Sequence, residues 1–321
     1  MGYIQMKTAV VCGASGLIGS YMVRRLKAEN YFVRGLSRSK PKYWISEADE
    51  YWTCDLRERH DNMFVDADEV YQFACQVGGI GYISDHTNDA NMLRDSTLID
   101  INVLESCGAM KPPKIFFASS ACVYNVPNKR FYAESDAYPA NCDNEFAWQK
   151  LFAERLYQAY AVNYGMEIRI GRIFNTYGVG MTWTGGREKS VAALCRKVAQ
   201  AKVGDAIEVW GNGEQTRSYT YIDDCVEGIW RLMQSDVKHP VNIGPSHEVS
   251  IRDLVAVIGK VARKNVMCKF GAGPKGVSKI CSDNITIHRL LGWEPKIPIE
   301  EGLKIVFPWI QKQVDVTPIK A

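Results

Sequence analysis

Two stretches hold the residues best able to do chemistry. The first is FFASSACVY, residues 116–124, where an apolar run ends in Ser119, Ser120, Ala121 and Cys122. The second is FAWQK, residues 146–150, which opens a segment with Phe152, Leu156, Ala159 and Tyr160 at helical spacing. A hydroxyl and a thiol at the carboxyl end of a strand, faced by Lys150 on a neighbouring helix, make an acid–base constellation around a substrate oxygen. The hydroxyl can hold that oxygen, and the ammonium can supply positive charge. The thiol can take a proton if its pKa is lowered and it is partly exposed. Most free cysteines are small buried hydrophobes, so the place of Cys122, two residues after Ser120, is what singles it out.

These groups need a scaffold, and the N-terminal stretch predicts one. Residues 7–12 read as a short apolar strand, and residues 20–29 as a helix. Between them lie Gly13, Ser15, Gly16, Leu17, Ile18 and Gly19, a GxxGxxG pattern. The first glycine permits a tight turn, the second lets backbone approach a pyrophosphate, and the third lets helix pack on strand. A second strand over residues 31–37 completes the dinucleotide-binding signature. It ends in Ser37-Arg38 with no carboxylate, which leans from NAD towards NADP, because Arg accommodates a 2′-phosphate. Asp55 and Leu56 follow a further stretch, YWTCDLRE at residues 51–58, and Asp55 is placed either to cap or to meet the adenine end of the cofactor.

Strands at residues 69–75, 114–119 and 166–175 alternate with helices at roughly 88–109 and 146–164. Asn102 lies on the polar side of the first, either structural or holding a water chain. From residue 176 the alternation breaks into short helices, strands and Gly-rich turns. The expected architecture is α/β: a doubly wound parallel (Rossmann) sheet over residues 1–175, joined by segments of the second half, with a smaller C-terminal substrate-binding cap, mainly residues 176–321.

Composition excludes other classes. The chain has 321 residues, 46% apolar and 23% charged, and a net charge of +3. That balance makes no case for nucleic acid. Ten scattered Cys without a CxxC pair point to a reduced cytosolic protein with no disulfide framework and no metal site. No apolar run approaches the roughly 18 residues of a membrane span.

With these pieces in view, the chain resembles the extended short-chain dehydrogenase/reductase superfamily, and within it the GDP-mannose 3,5-epimerase family. GGIGYI (78–83), SSACVY (119–124), RIGRIFNTYG (169–178), TGGREK (184–189) and WGNGEQTRSYTYID (210–223) carry the likeness, which runs from Lys7 to about Gln311. The resemblance implies an NAD-linked nucleotide-sugar epimerase. Oxidising C4 of the sugar to a ketone makes the C3 and C5 hydrogens acidic, one group takes a proton from one face, and another returns one on the opposite face. It implies Cys122 as base, Lys189 as acid, and Ser120 and Lys150 at the C4 oxygen. It further implies a GDP-sugar held by Gly79, Ala121, Asn175, Glu188, Lys197, Gln215, Thr216 and Arg217, and a homodimer. Rival readings are a GDP-sugar 4-dehydrogenase, 4,6-dehydratase or reductase on the same scaffold, or a non-catalytic dinucleotide sensor. The absence of an acid in SSAC counts against a dehydratase.

The chain departs from the family pattern at Phe146, which stands where that pattern has the Tyr that exchanges the C4 hydroxyl proton. The resemblance therefore implies a redox step slowed by roughly 10²–10⁴-fold. Either this is an engineered Tyr-to-Phe variant, or a natural protein has lost or relocated the function, with Ser120 or Tyr177 as substitute hydroxyls. Ser278 also replaces an Arg of the family pattern that would touch the diphosphate.

Overall fold

Seven short runs rich in Val, Ile and Phe form the central sheet of the computed structural model, which describes residues 6–108, 113–274 and 276–317. They are β1 Thr8–Cys12, β2 Phe32–Ser37, β3 Glu50–Thr53, β4 Glu69–Gln72, β5 Lys114–Ser120, β6 Ile168–Ile173 and β7 Val241–Ile243. Their spatial order is β7-β6-β5-β4-β1-β2-β3, and every pairing is parallel. This is the doubly wound α/β sheet expected from the sequence. The strand order reverses between β1 and β4, so the crevice of such a fold opens over their carboxyl ends.

The longer helices among the described residues are α1 Leu17–Ala28, α2 Asp89–Gly108, α3 Glu145–Tyr164, α4 Ser190–Gln200, α5 Ile222–Gln234, α6 Ile251–Ala262 and α7 Ile299–Val316. Alternate residues of each strand feed two cores. Ala9 and Val11 of β1 and Phe116 of β5 pack with Met22, Leu26 and Ile229 of α1 and α5. Val10, Cys12 and Phe117 pack with Val103 and Tyr157 of α2 and α3 on the other face. Burial on both faces is why these strands read as continuous apolar runs. The end of α2 expected at residue 109 lies outside the described residues.

Two expectations shift. Helix α1 begins at Leu17 rather than at residue 20, because Gly16 is already its N-cap. In α3 the expected apolar stripe is not the buried one. Phe152 is exposed, while the buried face carries Phe146, Gln149, Lys150, Leu151, Glu154 and Tyr157. Periodicity could not find that face, because it buries a charge pair instead of a purely apolar stripe.

That pair is Glu154 with Arg172 of β6. Arg172 Nε donates to Glu154 Oε1 at 2.9 Å and Nη2 donates to Oε2 at 2.7 Å, and both side chains are buried. Ser119 Oγ also donates to Glu154. Arg172 Nη1 donates to Tyr124 Oη at 2.9 Å, and Tyr124 Oη donates to Asn242 Oδ1 of β7 at 2.6 Å. The smaller layer over the carboxyl edge contains a four-stranded sheet of Val249–Ser250, Thr216–Arg217, Lys279–Ser282 and Phe131–Tyr132. Asn242 Nδ2 donates to Tyr132 O at 2.8 Å and ties this layer to the main sheet.

Removing one partner strands the other charge in low dielectric. Arg172→Met should therefore lower unfolding free energy by about 3–5 kcal/mol. Urea denaturation measures this, and a loss under about 1 kcal/mol would show that Glu154 does not depend on Arg172.

Candidate active site

The glycine loop builds the first half of the site. A Cβ on Gly19 would lie 2.3 Å from Gly13 O, so only glycine lets α1 seat against the turn. Gly16 caps α1 in extended conformation with no side-chain bond, and the first turn carries no acidic residue. The N–H groups at that end are thus available to an anion, and the helix dipole favours one. Gly13, Ser15, Gly16, Leu17 and Ile18 form a cradle that fits the diphosphate of a dinucleotide. At the end of β2, Ser37 Oγ is hydrogen-bonded to Ser15 Oγ at 2.6 Å, and Arg38 is exposed beside it. Asp55 pairs with Arg57 at 2.6 Å, and that bond holds its carboxyl below the usual range. Asn102 Nδ2 donates to Leu56 O at 3.1 Å, which makes it a support for that turn.

The second half is a cavity of about 410 Å³ between the carboxyl ends of the strands and the cap. Ser120, Ala121 and Cys122 line it from the end of β5, and Phe146 lines it from the first turn of α3. Asn144 fixes that turn by accepting from Ala147 N at 3.0 Å. Gly79, Asn175, Glu188, Lys189, Lys197, Gln215 and Arg217 line the same space.

Three expected residues fall outside it. Lys150 is buried below, its Nζ 4.8 Å from the Phe117 ring centroid and 5.9 Å from that of Phe146. Thr216 points the other way, donating to Glu248 Oε2 at 3.1 Å, because strand neighbours alternate faces and Gln215 and Arg217 take the cavity side. Ser278 is exposed, and its carbonyl accepts from Thr216 N at 3.0 Å.

Other side chains are partly engaged within the protein. Glu188 accepts from Arg196 Nη2 at 2.9 Å and from Gly186 N at 2.7 Å, so it orders the loop it sits in. Lys197 Nζ donates to Glu208 O at 2.8 Å, and Asn175 Nδ2 donates to Ser218 O at 3.2 Å. Gln215 Nε2 donates to Trp210 O at 2.8 Å. Gln215 Oε1 is buried without a hydrogen-bond partner among the described residues, as suits a group that meets a ligand. Arg217 Nη1 donates to Thr216 O at 2.7 Å.

Lys189 is held in place by backbone contact. The loop after β4 and the loop before α4 touch at Gly79, whose N donates to Arg187 O at 3.0 Å. A Cβ on Gly79 would lie 2.1 Å from Glu188 O. Arg187 closes the contact, stacking 4.3 Å from the Tyr82 ring centroid and donating to Tyr82 Oη at 2.9 Å.

Cys122 meets opposing influences. Burial pushes its thiol up, while a hydrogen bond with Ser120 and the charges of Lys189 and Arg217 pull it down, and Asp143 pushes it up again. The net direction is up, against the lowered thiol wanted by the sequence argument, because burial outweighs the cations. Tyr177 is no substitute for the missing hydroxyl: it is buried away from the cavity and donates to Ile299 O at 3.4 Å.

Sequence reasoning missed several lining residues. Asp143 and Asn144 lie three and two residues before Phe146, and Trp210 opens the WGNG turn. The spacing from Phe146 could have flagged Asp143. Arg187, which stacks on Tyr82 and is not among the lining residues, had no signal beyond its place in GGREK.

The fold and site define a dinucleotide-dependent enzyme, and the chain belongs to the NAD dependent epimerase/dehydratase family, whose model matches residues 9–244. Its cofactor is NAD, and the comparisons give no support to the lean towards NADP drawn from Ser37 and Arg38. Within the family the chain is similar to GDP-mannose 3,5-epimerase of Arabidopsis thaliana, 38% identical over 318 residues, 95% of this chain and 82% of that protein. It is also similar to UDP-glucuronic acid decarboxylase 6 of the same plant, 32% identical over 314 residues, 92% of this chain and 87% of that protein. The solved UDP-glucose 4-epimerase of Thermotoga maritima shares the fold with a TM-score of 0.85 at 22% identity, covering 96% of this chain and 99% of that one.

The Gly79 contact predicts a local effect. Gly79→Ala should raise amide hydrogen exchange across residues 184–189 by about tenfold or more while the strands of the main sheet stay protected. Unchanged exchange would show that the loops are held together by something other than this close approach.

Proposed function

We propose that the chain epimerises a nucleotide sugar, GDP-mannose, at C3 and C5 through a transient 4-keto sugar. The observation that carries the reading is the single cavity shared by Ser120, Cys122 and Lys189, in a chain 38% identical to a GDP-mannose 3,5-epimerase over 95% of its length. NAD, when bound, takes a hydride from C4 and later returns it. The residues of the chain handle protons and position. Ser120 holds the C4 oxygen at the end of β5. The Cys122 thiolate removes the proton from the carbon beside the ketone, and the electron pair of that C–H bond moves into the enolate on the C4 oxygen. Lys189 delivers a proton to the other face and the C–H bond re-forms inverted. Residues 1–175 hold the cofactor in this reading, and the cap, mainly residues 176–321, holds the substrate. Lys197, Gln215 and Arg217 receive its diphosphate and base, Arg by paired donors.

Incubation with GDP-mannose in deuterated water should place deuterium at C3 and C5. Oxidation at C4 without exchange would mean a dehydrogenase instead. Cys122→Ser should abolish exchange while calorimetric binding of GDP-mannose stays within a few fold, since an alkoxide is far harder to form than a thiolate. A base must be deprotonated, and the Cys122 thiol is raised. Exchange should therefore climb as pH rises from roughly 7 to 9. A flat profile would mean that another group is the base.

We further propose a cytoplasmic homodimer. All ten cysteines are free, which supports a reducing compartment. Among the described residues no helix is long and apolar enough to cross a membrane. Leu98 of α2 and Trp148 and Phe152 of α3 expose 39%, 42% and 49% of their surface on two helices that pack side by side. Sedimentation equilibrium should give twice the 36.1 kDa of one chain, and a Trp148→Asp, Phe152→Asp variant should be monomeric. A monomeric parent would sink the proposal.

A further inference from the structure

We propose that Asp143 is the catalytic base for the C4 hydroxyl, the task that a phenylalanine at position 146 cannot perform. The proposal rests on the epimerase reading and concerns its first step. Hydride leaves C4 only as the hydroxyl proton leaves, so a base must reach that oxygen. Phe146 offers none, and its ring packs in an apolar cluster with Ile83 and Met92. Tyr177 is committed elsewhere, and Lys150 lies outside the cavity lining. Ser120 Oγ accepts from Cys122 N at 3.1 Å and would have to act as an alkoxide.

Three carboxylates line the cavity: Asp143, Glu188 and Glu208. Both oxygens of Glu188 are held by Arg196 and Gly186. Glu208 accompanies Lys197, whose Nζ lies 3.4 Å from its Oε2, on the Ala206–Trp210 strand of the cap. Asp143 lines the cavity on the side of Phe146. It immediately precedes Asn144, the N-cap of α3, and so belongs to the same turn as Phe146. It is close enough to Cys122 for its charge to act on the thiol. Its Oδ1 accepts from Asn144 Nδ2 at 3.1 Å, and its Oδ2 makes no hydrogen bond among the described residues. The carboxylate is exposed at the mouth of the cavity, tethered through Oδ1 with Oδ2 open to take a proton, which is what a general base needs.

The step balances. The hydroxyl proton passes to Asp143 Oδ2, and the O–H electron pair closes the C4=O bond. The C4 hydrogen departs with its own pair as hydride to the nicotinamide dinucleotide. On the return, Asp143 gives the proton back as hydride re-adds to C4. The relocation of this function by three residues leaves Phe146 as a packing residue.

The test is single-turnover reduction of bound dinucleotide by GDP-mannose, followed by absorbance, with binding measured separately by calorimetry. Asp143→Asn should slow reduction by at least about 10²-fold, with GDP-mannose affinity within a few fold and an unchanged thermal midpoint. Adding Phe146→Tyr to Asp143→Asn should restore at least about tenfold of the loss, because a phenol then stands where the family pattern has one. Reduction by Asp143→Asn at the parent's rate overturns the proposal. So does a rise of about 10²-fold or more on Phe146→Tyr alone, which would mean that the parent has no working base. A parent that neither binds GDP-mannose nor exchanges its C3 hydrogen overturns the epimerase reading and this proposal together. A parent that exchanges as fast with Asn at position 143 overturns only the latter.

Discussion

The buried pair of Arg172 and Glu154 is the constraint from which the site hangs. Two charges removed from water cost several kcal/mol each unless their geometry is good and their remaining atoms are satisfied. Here they are: the guanidinium meets the carboxylate through two hydrogen bonds, and Ser119, Tyr124 and the carbonyl of Glu134 take up the rest. The network runs beside three residues that the sequence singled out. Ser119 immediately precedes Ser120, Glu154 lies one turn after Lys150, and Arg172 is three residues before Asn175. One interaction thus sets β5, α3 and β6 relative to one another, and slippage of any of them would leave a charge unpaired in the interior. Through Tyr124 and Asn242 the same network reaches β7 and the cap strand at Tyr132.

A second set of contacts serves the other wall. The loop after β4 meets the Lys189 loop through Gly79 and Arg187 and also reaches towards the Asp55 turn. Gln76 Nε2 donates to Asp95 Oδ2 at 3.3 Å, and Arg57 Nη1 donates to the same oxygen at 3.2 Å. Arg57 in turn holds Asp55. The Lys189 loop and the Asp55 turn are therefore joined by packed, mostly hydrogen-bonded side chains, with the buried Asp95 between them. Asp95 keeps its charge because Arg94, Gln76 and Arg57 offset the burial that would raise its pKa. The cavity between the two walls is lined by charged residues that are largely paired: Glu188 with Arg196, and Lys197 with Glu208.

Much of this protein was legible in its sequence. Continuous apolar strands, the glycine triplet and its following helix are local signals, since strand burial on both faces and close helix–strand approach dictate residue type directly. They were enough for the parallel sheet and for a dinucleotide cofactor, although the basic end of β2 leaned to NADP where the family has NAD. The likeness in GGIGYI, SSACVY and GGREK led to the same family that the comparisons found. Tertiary structure alone decided which side chains converge. Thr216 left the cavity because of strand alternation, and Lys150 sank beneath it. The face of α3 that is buried carries Glu154 rather than Phe152, because its partner Arg172 lies eighteen residues further along the chain, beyond the reach of any helical period. Asp143 lines the cavity for the same reason: its place depends on how α3 docks, which residue spacing cannot encode.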